Sequence, residues 1–225
     1  MADDPGFEAR KLLRAARSGT LATSGDGQPF ASLVTPACAP DLSILLLLSD
    51  LSEHTRHLRA EPRCAILVQG PAESANPQTA PRLTVTGLAA ATDDAALKAR
   101  YLAIHPYAAQ YADFGDFHLW RIQPAGALLV GGFARATRLR LTALLPPHAG
   151  FAAAEPGILA QCNRDRGEAL AAIAGEAGGW TMVAADADGA DLAKGERVKR
   201  VHWRAPAMDA DGVRAEFTRA IGAAA

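Results

Sequence analysis

The chain has 225 residues, 49% hydrophobic and 21% charged, with a formal net charge of −1. That length and balance fit one large or two small globular domains with a core of their own, and exclude a wholly disordered chain. The near-neutral charge offers no positive field for nucleic acid. Aromatic residues are only 6% and alanine is close to a quarter of the chain, so the apolar share overstates the supply of large side chains.

Met1–Arg17 mixes charges of both signs and lacks the apolar run of roughly 7–15 residues that a secretory signal needs. The longest aliphatic stretch, Ile44–Leu48, is far short of the roughly 20 residues that cross a bilayer. Cys38, Cys64 and Cys162 are odd in number and widely spaced, which supports neither a disulfide framework nor a zinc site. A cytoplasmic protein without membrane contact is the expectation.

The first predicted element is a helix over Ala9–Arg17, stopped at Ser18-Gly19. Three short β-type runs follow, Gly19–Thr23, Phe30–Thr35 and Ser43–Ser49. Gly25-Asp26-Gly27 and Pro40-Asp41 read as two hairpin links between them. Leu45–Leu48 shows no polar alternation, which predicts a strand buried on both faces. A short helix over Leu51–Ala60, an apolar strand over Cys64–Val68 and a polar loop over Pro71–Pro81 come next. Arg82–Thr92 alternates as a long strand, and Asp93 and Asp94 cap a helix to about Ile104 that His105-Pro106 breaks. Phe117–Gln123 and Ala127–Val130 read as two further strands. Seven strands with such short links predict a closed or nearly closed antiparallel barrel over residues 1–143.

Prolines and glycines between Leu144 and Gly157 read as a linker over 144–157. A small α+β unit over 158–225 is expected after it. Its elements are a helix over Ile158–Ala174, strands over Trp180–Asp186, Asp191–Ala193 and Arg197–Trp203, and a closing helix over Asp209–Ile221. With roughly 70 residues it stands near the lower limit of independent folding and is expected to dock on the barrel.

The most informative local stretch is Ser49-Asp50-Leu51-Ser52-Glu53-His54-Thr55-Arg56-His57, which joins the buried strand to a helix start. Unsatisfied N–H groups at a helix N-terminus attract anions. Hydroxyls of Ser49, Ser52 and Thr55, with Arg56 and His54, complete a candidate phosphate cradle. An ordinary capped helix with a solvated polar face reads the same residues. The glycine loops of nucleotide-binding motifs are missing. His105 reads as a helix-ending residue of a structured loop, Cys162 as a buried, inert thiol, and His148 as an exposed linker residue. No carboxylate pair and no Ser/His/Asp constellation stands out.

Three stretches together resemble a known family: Gly19-Thr20-Leu21-Ala22-Thr23, Pro29-Phe30-Ala31-Ser32-Leu33-Val34, and Leu47 through Leu58. The family is the FMN-binding split barrel of pyridoxamine 5′-phosphate oxidase-like proteins. Tyr101–Pro106, Tyr111–Phe117 and Leu129–Ala136 are similar to its haem-utilisation (HugZ-type) branch, and the resemblance covers about residues 8–140. It implies a homodimer with FMN at the subunit interface. The phosphate would lie on Ser49–His57 and the ring along Phe30–Val34, with Ser32 and neighbouring backbone such as that of Val34 facing its polar edge. Trp120 would reach the flavin from the other subunit, or else pack in the core.

Two departures limit what the resemblance implies. The phosphate segment has Arg56 and histidines instead of a basic Arg/Lys pair, so turnover of pyridoxamine phosphate is not expected. Where the fused domain of that branch opens with a His-Met-Asn-x-x-His pattern, this chain has Gln161-Cys162-Asn163-Arg164-Asp165-Arg166. Both histidines, the usual haem-iron ligands, are replaced. The expected function is an FMN-dependent oxidoreductase with an unidentified small substrate. The alternatives are a haem-binding or haem-utilisation protein and a non-catalytic flavin-binding module.

Overall fold

The computed structural model describes residues 4–131, 136–146, 151–164 and 167–224. Asp4 caps α1 (Pro5–Ala15) by accepting from the Gly6 N–H. β1 (Gly19–Gly25) and β2 (Gln28–Val34) form the predicted hairpin, turned at Asp26 and Gly27, both with positive φ. β3 (Ala37–Cys38), β4 (Ile44–Ser49), α2 (Glu53–Ala60), β5 (Arg63–Gln69), β6 (Arg82–Ala91), α3 (Ala95–Ile104), β7 (Phe117–Val130), β8 (Ala136–Arg140) and α4 (Leu141–Leu144) complete the first unit. Its antiparallel sheet runs β2-β1-β5-β6-β7-β4-β3, with β8 on β7. The outermost strands, β2 and β3, are joined directly through Thr35-Pro36, so the sheet must curl until its edges meet. This is the expected split barrel.

Three expectations are corrected. The second hairpin link, at Pro40-Asp41, joins β4 to the short β3 and not to β2, and β4 pairs on its other side with β7 at the far edge from β2. Pro36, which lacks an N–H, separates β2 from β3, and the tight turn spans Ala39–Ser43, where Leu42 takes φ 71°. Second, the two strands read over Phe117–Val130 are one strand with a register shift opposite Thr86/Gly87. Pro124 sits at that irregularity, where its missing N–H costs no ladder bond. A Cβ on Gly87 would lie 2.3 Å from the Gln123 carbonyl, so only glycine fits there. Third, β3 and β8 are too short and too exposed, respectively, to show an apolar pattern.

β4 is buried on both faces, as its unbroken aliphatic run requires. Ile44, Leu46 and Leu48 enter the barrel core with Leu21, Ile66, Val85 and Ile122. Leu45 and Leu47 face α3 and pack with Tyr101 and Ile104.

The second unit holds α5 (Phe151–Asn163), α6 (Gly167–Ala174), β9 (Thr181–Asp186), β10 (Gly189–Lys194), β11 (Arg197–His202) and α7 (Ala210–Ala224). Its sheet runs β11-β10-β9. Part of the segment read as a linker is helix: α5 begins at Phe151 and continues through Pro156 and Gly157. Tertiary contacts override the two breakers, since Glu155 pairs with Arg100 and accepts the Ala185 N–H, and Ile158 enters the second core. The helix read over Ile158–Ala174 is two helices, α5 and α6. Pro147, His148 and Gly150, Gly132–Arg135 of the branch motif, and Asp165-Arg166 lie outside the described residues.

The two units meet through buried charge. Arg10 and Arg14 of α1 are 2% and 3% exposed, and Asp186 and Asp188 are fully enclosed. Arg14 donates to Asp188 at 2.9 Å and to the carbonyls of Ala39 and Pro40 at 3.0 Å, and sits 3.1 Å from Asp186. Arg200 binds Asp186 at 2.6 Å and Asp191 at 2.8 Å, and Arg100 reaches both Asp186 and the Cys38 carbonyl. Burial alone would raise the Asp186 carboxyl. Arg14, Arg200 and Arg100 overcome that and hold it well below the usual carboxylate range.

Candidate functional site

α2 closes one side of the barrel against the β1–β2 hairpin, with Leu58 and Thr55 as its buried residues. Ser49 ends β4 and braces the approach to the helix. Its hydroxyl donates to Asp116 at 2.6 Å and accepts the Leu51 N–H at 3.1 Å, while the Asp50 N–H reaches the Asp116 carbonyl at 2.7 Å. Ser52 occupies the N-cap with extended φ/ψ, but its side chain makes no capping bond. The first-turn N–H groups therefore lack a side-chain acceptor.

Thr55, in that first turn, is completely buried, and its Oγ1 has no hydrogen-bond partner. Buried hydroxyls are rarely left in this condition. Ser32 repeats the pattern on β2: it pairs with Leu21, so its side chain shares the inward face, and its Oγ is buried and unpartnered. Val34 is 5% exposed and its side chain belongs to the barrel core, which leaves only its backbone for a ligand. His54 is half-buried, and burial and the neighbouring His57 lower its pKa, which favours the neutral ring. Arg56 is exposed and pairs with Glu53.

Of the two readings of Trp120, the structure shows core packing. Trp120 is 4% exposed and packs in the barrel core opposite Leu46, with an unbonded indole N–H. The physical reason is strand parity, which turns Trp120 inward and its neighbour Arg121 outward. Arg121 is held by Ser43 at 2.9 Å and by Asp41 at 2.5 Å.

Four residues to which the sequence assigned no such role, Thr23, Gly25, Phe30 and Glu53, hold His57 in this region. Thr23 Oγ1 lies 3.1 Å from His57 Nδ1, and Glu53 Oε1 lies 3.2 Å from His57 Nε2. Phe30 meets the same imidazole edge-on, at 5.4 Å and 88°. A Cβ on Gly25 would lie 2.3 Å from His57 Nε2, so glycine is what lets the hairpin close over the ring. The i,i+4 spacing of Glu53 and His57 was a visible signal. The hairpin contacts were not, because they join distant parts of the chain.

The other singled-out residues are structural. His105 is 1% exposed, its Nε2 is 2.9 Å from the Pro36 carbonyl and its Nδ1 is 3.1 Å from the Tyr107 hydroxyl. Cys38, Cys64 and Cys162 are all buried, and burial pushes the thiols of Cys38 and Cys64 up to about 11. Gln161 accepts from Arg214 at 2.6 Å, a bridge between α5 and α7. No group of acidic, His or Cys side chains among the described residues has the arrangement of a metal site. No helix among them is long and apolar enough to cross a membrane.

A separate cleft of about 690 Å³ lies away from α2, between α1, the end of β5 and β11, with Lys11, Leu12, Pro71, Leu129 and His202 on its wall. Burial, Arg200 and Lys11 push the His202 pKa down to about 4.

Comparison with known proteins decides the family. Residues 7–131, more than half of the chain, match the family described as pyridoxamine 5′-phosphate oxidase. The chain belongs to the pyridoxamine 5′-phosphate oxidase family. This family member is 38% identical over 138 residues to an Arabidopsis thaliana protein named non-canonical heme oxygenase HOZ, chloroplastic; the match spans 59% of this chain and 42% of that protein. A solved structure of a protein of unknown function from Agrobacterium tumefaciens superposes with a TM-score of 0.76 at 25% identity, covering 96% of this chain and 94% of that one. A heme binding protein from Mycobacterium smegmatis superposes with a TM-score of 0.61 at 28% identity, covering 100% and 98%. Both structures cover the second unit of this oxidase-family chain as well as its barrel.

Proposed function

We propose that this chain is an FMN-binding oxidoreductase that works as a homodimer with the flavin at the subunit contact. The observation that carries this reading is the pair of buried, unpartnered hydroxyls, Thr55 Oγ1 and Ser32 Oγ. The family resemblance puts the flavin phosphate on the segment that carries Thr55 and the ring along the strand that carries Ser32. An unsatisfied buried hydroxyl costs about 1–3 kcal/mol, and a ligand oxygen or nitrogen removes that cost. The helix end, the Ser52 and Thr55 hydroxyls and Arg56 bind the phosphate, with His54 beside them, and Ser49 braces the approach through Asp116. Ser32 and the Val34 backbone orient the ring. Bound FMN supplies two-electron redox chemistry, and the protein supplies position and electrostatics.

The purified protein is expected to take up FMN, giving a flavin visible spectrum, and to bind riboflavin more weakly. Arg56→Ala is expected to weaken FMN by about 1–3 kcal/mol, the value of a charge-assisted hydrogen bond. A protein that takes up no FMN on titration overturns the assignment, and unchanged affinity in the variant removes Arg56 from it.

A second reading, haem binding, is favoured by the two haem-named relatives. In this chain it points to the cleft beside α1, whose volume lies within the range for cofactor-sized ligands. The His202 ring forms no hydrogen bond or ion pair with another side chain among the described residues, and as a neutral imidazole it suits iron. A haem titration is expected to give a Soret shift that His202→Ala abolishes. A shift that survives the substitution excludes this ligand, and no shift excludes the reading.

A further inference from the structure

Arg56, the one arginine of the phosphate segment, already has an anionic partner in this structure. Its guanidinium donates to Glu53 Oε2, one turn back on α2. The other oxygen of the same carboxylate, Oε1, lies 3.2 Å from His57 Nε2. Glu53 is thus shared between a cation that a phosphate needs and an imidazole that lies behind it.

The two partners of Glu53 differ in freedom. The Arg56 side chain is 60% exposed, whereas that of His57 is 14% exposed. His57 is fixed by Thr23, by the Phe30 ring and by the Gly25 backbone. Glu53 Oε1 and the Thr23 hydroxyl thus meet the two ring nitrogens of His57, Nε2 and Nδ1 respectively. The Glu53 carboxyl is held below its ordinary range, first by Arg56 and then by His57. It therefore remains an anion in the first turn of the helix, where a phosphate and a carboxylate compete for the same N–H groups and the same guanidinium.

We propose that Glu53 is a built-in competitor of the ligand phosphate: it parks Arg56 when no phosphate is bound and is retained by His57 when Arg56 turns to the phosphate. The proposal rests on the reading of α2 as the FMN phosphate site. That site has support beyond the helix end itself in the enclosed, unpartnered Thr55 hydroxyl. The handoff breaks no covalent bond. Arg56 exchanges a carboxylate for a phosphate, and Glu53 keeps its contact with His57 Nε2. Glu53 thereby sets the affinity of the site without touching the flavin, and it penalises phosphate-bearing ligands relative to phosphate-free ones.

The experiment is a fluorescence titration of the full chain with FMN and with riboflavin, for wild type, Glu53→Gln, His57→Leu and the double variant. Glu53→Gln is expected to tighten FMN by about 3–10-fold, the range for removing a half-exposed charge beside a phosphate, and to leave riboflavin unchanged. His57→Leu is expected to weaken FMN in the wild-type background and to have little effect once Glu53 is Gln. Unchanged or weaker FMN binding in Glu53→Gln overturns the proposal, as does an equal change for both ligands. Glu53 is half-exposed, so this variant reads out even if His57→Leu fails to fold. A wild-type protein that binds FMN no better than riboflavin overturns the phosphate reading instead.

Discussion

Asp186→Ala is expected to destabilise the protein by about 3–5 kcal/mol, the cost of stripping one partner from a buried ion network. Asp186 is fully enclosed and faces Arg14, Arg100 and Arg200, which come from α1, α3 and β11. Removing the carboxylate leaves those guanidinium groups in a site with little water to take its place. Folding holds the Asp186 carboxyl below its ordinary range. Its stabilisation is therefore fully present above the ordinary Asp pKa of about 3.9 and is lost as pH falls below it. Urea unfolding at pH 7 and at decreasing pH measures both effects. The wild type should lose stability below about pH 4 more steeply than Asp186→Ala does. A change of less than about 1 kcal/mol at pH 7 would show that the two units are held mainly by apolar packing.

Leu33→Asp is expected to convert a dimer into monomers and to abolish tight FMN binding with it. Leu33 lies on the outward face of β2 and is 78% exposed. In register beside it run Thr20, Leu67, Thr84 and Leu128, and the next row holds Ala31, Ala22, Ala65, Thr86 and Gly126. No charge interrupts either row until Arg138 and Arg140 on β8. An uncharged sheet face of this extent is the kind of surface that proteins cover with a partner. The occupant that fits the proposed flavin site is a second copy, and an aspartate at its centre would be buried without a counter-ion. Light scattering at matched concentrations decides it. A monomeric wild type, or a variant that remains dimeric, refutes this contact.

Much of the fold was legible because local rules and tertiary demands agree. The Asp26-Gly27 turn has the residues that positive φ requires, and the aliphatic run Ile44–Leu48 forms the doubly buried β4. The errors fall where they disagree. Pro124 looked like a strand end but sits at a register shift that Gly87 makes possible. Pro156 and Gly157 looked like a linker but lie within α5, because Glu155 and Ile158 have partners elsewhere. For the candidate site, the segment Ser49–Arg56 was recognisable from its caps and hydroxyls. Which hydroxyls are buried and unsatisfied was not, since burial depends on how α2 seats against the β1–β2 hairpin.

By itself the sequence determined the class of protein: an alternating, turn-rich first part of about 140 residues and a helical and stranded remainder, with one hydroxyl-rich helix start. Those features depend on residues within a turn or two of each other. Only the tertiary structure decided that β4 joins the far edge of the sheet, that Trp120 packs inward, and that Glu53 stands between Arg56 and His57. It also decided that three aspartates near one turn, Asp186, Asp188 and Asp191, would find their arginines on α1, α3 and β11. Charge pairing acts through space, and no local pattern records which distant guanidinium a buried carboxylate will meet.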